Sequence, residues 1–125
     1  MVYITRRETF NAAHKLHRED WSEEKNEAVF GKCANINWHG HNYQLFVTVA
    51  GEPDPVTGFV IDAKALSVIV KREIVDQVDH SNFNLDIEWM PKGVQPTTEN
   101  LVRIFWQRIE AQVNEHGAKL YSIRL

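Results

Sequence analysis

The sequence predicts an α+β fold, an antiparallel sheet with two helices on one face. Three observations lead there. Two early segments carry β-branched and aromatic residues or strict alternation. Two later segments place apolar residues at helical spacing. A final short segment again reads as extended chain.

Val2 to Phe10 opens the chain as a strand rich in β-branched and aromatic residues. The polar stretch from His17-Arg18-Glu19-Asp20 through Glu23-Glu24-Lys25-Asn26 reads as a solvated loop or a short helix. Asn42 to Ala50 is the clearest strand, with Tyr43, Leu45, Val47 and Val49 on one face and Asn42, Gln44 and Thr48 on the other. Gly51-Glu52-Pro53-Asp54-Pro55 must turn, because two prolines so close together break a ladder. Phe59-Val60-Ile61 reads as a brief extended lead to Asp62, a good N-cap. Leu66, Ile69, Val70, Ile74 and Val78 then make Ala63 to about Val78 an amphipathic helix. A second helix starts after Pro96, capped by Thr97 or Thr98, with Glu99 favourably placed against its N-terminal dipole. Its apolar stripe is Leu101, Val102, Phe105, Ile109 and Val113, and Gly117 is a natural stop. Lys119 to Leu125 starts a last strand.

Bulk properties narrow the function. The 125 residues are 43% hydrophobic and 25% charged, an ordinary composition for one globular domain. One cysteine forms no internal disulfide, and a free thiol suits the cytoplasm. A net charge of −3 and a pI near 6.0 argue against a general nucleic-acid binder. No stretch approaches the roughly 18 apolar residues of a membrane span, and the N-terminus has no signal-peptide run.

Of the six histidines, three are informative. His39-Gly40-His41 directly precedes the second strand, and residues two apart on a strand share a face. His14 closes the first strand segment. Antiparallel pairing of the two strands would bring it beside His39 and His41. Three neutral imidazoles suit Zn²⁺ and leave one position open for water or substrate. Spacing alone leaves both a metal site and an incidental His-x-His pair open. Cys33 by itself is by default a small buried hydrophobe, and Asp79-His80 by default a helix end whose His caps carbonyls.

Four motifs occur in order: Phe10-Asn11-Ala12-Ala13-His14, the run Cys33 to Tyr43, Val78-Asp79-His80, and Pro96-Thr97-Thr98-Glu99-Asn100. Together they resemble the family of 6-pyruvoyltetrahydropterin and 6-carboxytetrahydropterin synthases, from Phe10 to Leu125. The resemblance implies a tunnelling fold (T-fold) over residues 1–125 as a single domain. Three subunits would close a barrel, two trimers would stack into a homo-hexamer, and active sites would lie at subunit interfaces. It implies zinc on His14, His39 and His41. Cys33 would be general base, working with Asp79 and His80 as a proton relay, and Thr97, Thr98 and Glu99 would meet the pterin ring. The implied substrate is 7,8-dihydroneopterin triphosphate. Lys15, Arg18 and Lys32 lie near these motifs and could meet the triphosphate, but each is more often an ordinary solvated charge and stays outside the site.

Five residues, Ala34 to Trp38, separate Cys33 from His39. This resembles the 6-pyruvoyl branch of tetrahydrobiopterin synthesis more than the 6-carboxy branch of queuosine synthesis, which often has a shorter gap. A non-catalytic T-fold scaffold holding zinc or pterin is the third reading. Members of the family continue past the final strand segment into a Glu-Thr pair and a further strand. A protein ending at Leu125 is therefore expected to lack a pterin anchor and a sheet edge, and to turn over poorly.

Overall fold

A computed structural model describes all of residues 1–125. Its frame is one long antiparallel pair, β1 (Val2–His14) and β2 (His39–Gly51), in unbroken register from Val2 opposite Gly51 to His14 opposite His39. β4 (Lys119–Arg124) joins the free edge of β2 antiparallel, with a register shift between Thr48 and Val49. The two-residue β3 (Ser81–Asn82) lies parallel to the end of β1, giving the order β3-β1-β2-β4. The sheet is thus mixed and four-stranded, where the sequence predicts only antiparallel pairing. The reason is local. The amide of His80 donates to the carbonyl of Asn11 at 2.6 Å and that of Phe83 to Ala13 at 2.9 Å. Two residues are too few to leave a period-two pattern.

Two further departures have equally local causes, and the polar stretch takes one of the two forms expected of it. β1 and β2 extend beyond the predicted segments because ladder pairing carries polar residues such as Asn11 and Gly40 along with the apolar ones. Part of the polar stretch does form a helix, α1 (Glu23–Phe30), capped by the Ser22 side chain accepting from the Lys25 amide at 3.1 Å. Residues 59–61 pair with no strand, and the chain bends at Val60 and Ile61.

The predicted helix over 63–78 is helical throughout but not uniform. α2 (Ala63–Val70), capped by Asp62, passes through a π turn (Lys71–Val75) into the short α3 (Asp76–Val78). The widened turn alters the hydrogen-bond spacing, and two of its carbonyls take side-chain partners. Arg108 Nε donates to the Glu73 carbonyl at 2.7 Å, and Gln77 Nε2 to that of Arg72 at 3.0 Å. α4 (Thr98–Glu115) is capped by Thr97. Both helical segments lie on one face of the sheet, α2 against β1 and α4 against β4. Leu45, Val47 and Val49 of the sheet are fully buried there with Leu66, Val70, Ile74, Leu101, Phe105, Ile109 and Val113. Val102 stays half-buried, and Ile104 is buried in its place, because α4 is rotated slightly from the predicted stripe.

Candidate metal centre

The β1–β2 register does what the histidine spacing requires. His14 and His39 are direct cross-strand partners, and His41 lies two residues further along β2 on the same face. That face is the helix-covered one, shared with Phe10, Ala12 and Tyr43. The three imidazole centroids lie 4.6, 5.0 and 4.7 Å apart, and one ring nitrogen from each falls within 4.8 Å of the others. Nε2 of His14 and Nε2 of His41 face each other at 3.1 Å. Two nitrogens on one tetrahedral zinc, with bonds of about 2.0–2.1 Å, would sit roughly 3.3 Å apart. Gly40 between the ligands is not required sterically, since an added Cβ would make only an ordinary 3.5 Å contact with the Ala12 carbonyl.

Two observations test whether these residues fit a metal. His14 Nδ1 lies 2.8 Å from the Pro96 carbonyl, which can only accept. Nδ1 therefore carries the proton and Nε2 keeps its lone pair toward the other imidazoles. Both ring nitrogens of His39 are buried with no protein partner. A buried polar atom without a partner is costly, and a cation between the three rings supplies one. Burial pushes the His14 imidazole down, a fall the Pro96 bond opposes and the charges of His39 and His41 reinforce. His39 is likewise lowered, by burial and then by His41. Neutral imidazole is the ligand form, so His14, His39 and His41 fit a divalent metal.

Asp79 and His80 stand at the junction of α3 and β3. One Asp79 oxygen accepts the Asn11 amide at 2.9 Å, and the other lies 3.1 Å from His80 Nδ1. The Asn11 amide is the chief cause holding the Asp79 carboxyl below its ordinary value; slight burial opposes it and His80 adds to it. His80 adopts a left-handed backbone (φ 60°), and its side chain is 78% exposed. It lines an open cleft of about 500 Å³ that also includes His41, Asn11 and Asp86.

Cys33 is not part of that cleft. It sits half-buried in a 3-10 turn (Gly31–Ala34), and its carbonyl accepts the Leu16 amide at 2.8 Å. No hydrogen bond joins its thiol to Asp79 or His80. Within one chain the structure therefore brings the three histidines together and puts His80 and His41 on the walls of one cleft, of which Cys33 is not a part.

Thr97 caps α4, accepting the Asn100 amide at 3.3 Å, while Thr98 and Glu99 are exposed in the first turn. The same segment touches the metal centre through a residue the sequence reading missed, Pro96. Gln95 reinforces it, accepting the His17 amide at 3.2 Å and donating to the His17 carbonyl at 2.6 Å. A carbonyl partner has no side-chain signature, so nothing in the sequence singles Pro96 out. Alternation alone places Tyr43 on one face of the second strand and gives it no role at the site. Its hydroxyl is buried without a partner, its ring centroid lies 5.6 Å from that of His41, and burial pushes it up to about 12.

With this geometry in view, comparison with known proteins is specific. The family model described as 6-pyruvoyl tetrahydropterin synthase matches residues 3–125. A 6-pyruvoyl tetrahydrobiopterin synthase of Drosophila melanogaster is 38% identical over 125 residues, covering 100% of this chain and 73% of that protein. The Homo sapiens protein of the same name is 39% identical over 107 residues, or 86% of this chain and 73% of its own. The solved structure of Caenorhabditis elegans 6-pyruvoyl tetrahydropterin synthase superposes with a TM-score of 0.87 at 36% identity, covering 98% of this chain and 85% of that one.

Proposed function

Because the chain belongs to the 6-pyruvoyl tetrahydropterin synthase family, we propose that it is a lyase that converts 7,8-dihydroneopterin triphosphate by eliminating triphosphate and rearranging the side chain. The observation that carries the reading is the convergence of His14, His39 and His41, with both His39 ring nitrogens buried and unpartnered. Relatives named for this activity match it over nearly the whole chain.

Zinc, held by His14, His39 and His41, would supply Lewis acidity toward the side-chain hydroxyls and keep one position open for them. The residues of the chain do the rest. Pro96 fixes the His14 tautomer, so Nε2 is the ligand atom. Asp79 holds Nδ1 of His80, which leaves Nε2 of that ring as the atom that passes the proton. Cys33 is the general base that withdraws the proton from the side-chain carbon. Thr97, Thr98 and Glu99 meet the pterin ring, with the carboxylate reading the amino-pyrimidine edge. The exposed His80 ring and the separate placement of Cys33 favour a relay that closes between neighbouring copies, in a hexamer built from two trimers. No helix is long and apolar enough to cross a membrane, and the free thiol favours the cytoplasm.

Product analysis after incubation with 7,8-dihydroneopterin triphosphate tests the reading. A diketone side chain with released triphosphate and no acetaldehyde is expected. Acetaldehyde with 6-carboxytetrahydropterin would assign the chain to the carbon–carbon-cleaving branch instead. Binding without turnover would make it a scaffold.

A further inference from the structure

Directly beyond the paired ligands His14 and His39, at the end of the β1–β2 ladder, lie Lys15 and Trp38. Trp38 has φ 68°, a left-handed conformation that a bulky aromatic adopts only when its surroundings enforce it. Those surroundings are identifiable. The Trp38 amide donates to the Asn35 carbonyl at 3.1 Å, closing a tight turn, and the Lys15 ammonium lies 4.2 Å from the centroid of the Trp38 ring. Lys15 is fixed from the other side as well. Its amide donates to Asn84 Oδ1 at 2.9 Å, and its carbonyl accepts from Asn84 Nδ2 at 3.0 Å.

The ammonium itself has no carboxylate partner. Every ion pair in the chain involves other groups, and Arg18 nearby is already paired with Asp20 at 2.8 Å. Lys15 instead opens onto a cleft of about 680 Å³ that it shares with Lys32, His17 and Asn35. Glu23 and Glu27 also line this cleft, but neither comes within ion-pair distance of a lysine. The result is an unpaired cation, held against a strained aromatic, one residue from a metal ligand.

We propose that Lys15, held in place by Trp38, is a specificity-determining residue that receives a phosphate group of the substrate at the edge of the metal centre. This rests on the pterin triphosphate substrate proposed above. Trp38 is a positioning residue: a cation over an aromatic face keeps its charge while losing freedom of movement, so the ammonium is ordered before substrate arrives.

The test is fluorescence titration of the metal-loaded protein with two oxidised, unreactive pterins, neopterin and neopterin triphosphate. The unaltered protein is expected to prefer the triphosphate. Lys15→Met should weaken triphosphate binding by roughly ten- to a hundredfold, the scale of one charge-assisted hydrogen bond, and leave neopterin binding and metal content unchanged. Lys15→Arg should retain the preference. Trp38→Gly, which tolerates the left-handed backbone, should lose part of it while keeping its metal. A merely structural role would weaken both ligands alike, and that outcome overturns the proposal. Equal affinity of the unaltered protein for the two pterins overturns it while leaving the proposed lyase intact. Binding of neither pterin overturns both.

Discussion

His14 donates through Nδ1 to the carbonyl of Pro96 at 2.8 Å, across 82 residues of sequence. The bond ties the end of β1 to the segment that caps α4, so the metal centre is held by a loop that contributes no ligand. Gln95 anchors that loop to His17 through both ends of its amide. Gln95→Ala is therefore expected to weaken metal binding by on the order of tenfold, with all three ligands intact. Competition against a chelator of known affinity measures it.

Glu8 is a buried carboxylate between β1 and α2. Its Oε1 accepts from Ser67 Oγ and from Arg6 Nε, both at 2.8 Å. Burial raises its pKa, but these two bonds and the charges of Arg6 and Lys71 outweigh burial and leave it lowered. An unfolded glutamate titrates near 4.5. The stability gained is thus complete above that value and is lost as pH falls through the lower folded value. Denaturant melts across the acid range should show the loss, and Glu8→Gln should flatten it. Ser67→Ala is expected to cost about 1–2 kcal/mol near neutral pH.

Arg108 restrains the π turn, donating to the Glu73 carbonyl at 2.7 Å and lying 4.3 Å from the Trp89 ring centroid. Arg108→Ala leaves that carbonyl without its partner and is expected to destabilise the fold by about 1–3 kcal/mol. Lys cannot reproduce the guanidinium geometry, so Arg108→Lys should recover only part of it. Urea melts of the three proteins decide this.

Thr97 caps α4. Thr97→Ala is expected to cost about 1 kcal/mol of stability and Thr97→Ser much less. Thermal melts give the difference.

Much of this was legible in the sequence because it rests on periodicity. Tyr43, Leu45, Val47 and Val49 alternate and are buried, and Leu66, Ile69, Val70, Ile74 and Val78 recur at helical spacing and line the core. The His-x-His pair and the strand-end His14 also followed from strand geometry. What could not be read depends on the backbone and on contacts distant in sequence. β3 is held by single amides at the end of β1, the π turn leaves a continuous apolar stripe, and Pro96 acts through a carbonyl that every residue possesses. The left-handed Trp38 was hidden for the opposite reason, since its residue type argues against that conformation.

Zinc content per chain, by elemental analysis of the purified protein and its variants, decides whether His14, His39 and His41 hold the metal. One zinc per chain is expected in the unaltered protein, with loss of that zinc in His39→Ala and its retention in Cys33→Ala. Retention in His39→Ala would contradict the three-histidine centre. Loss in Cys33→Ala would replace it with a four-ligand structural site.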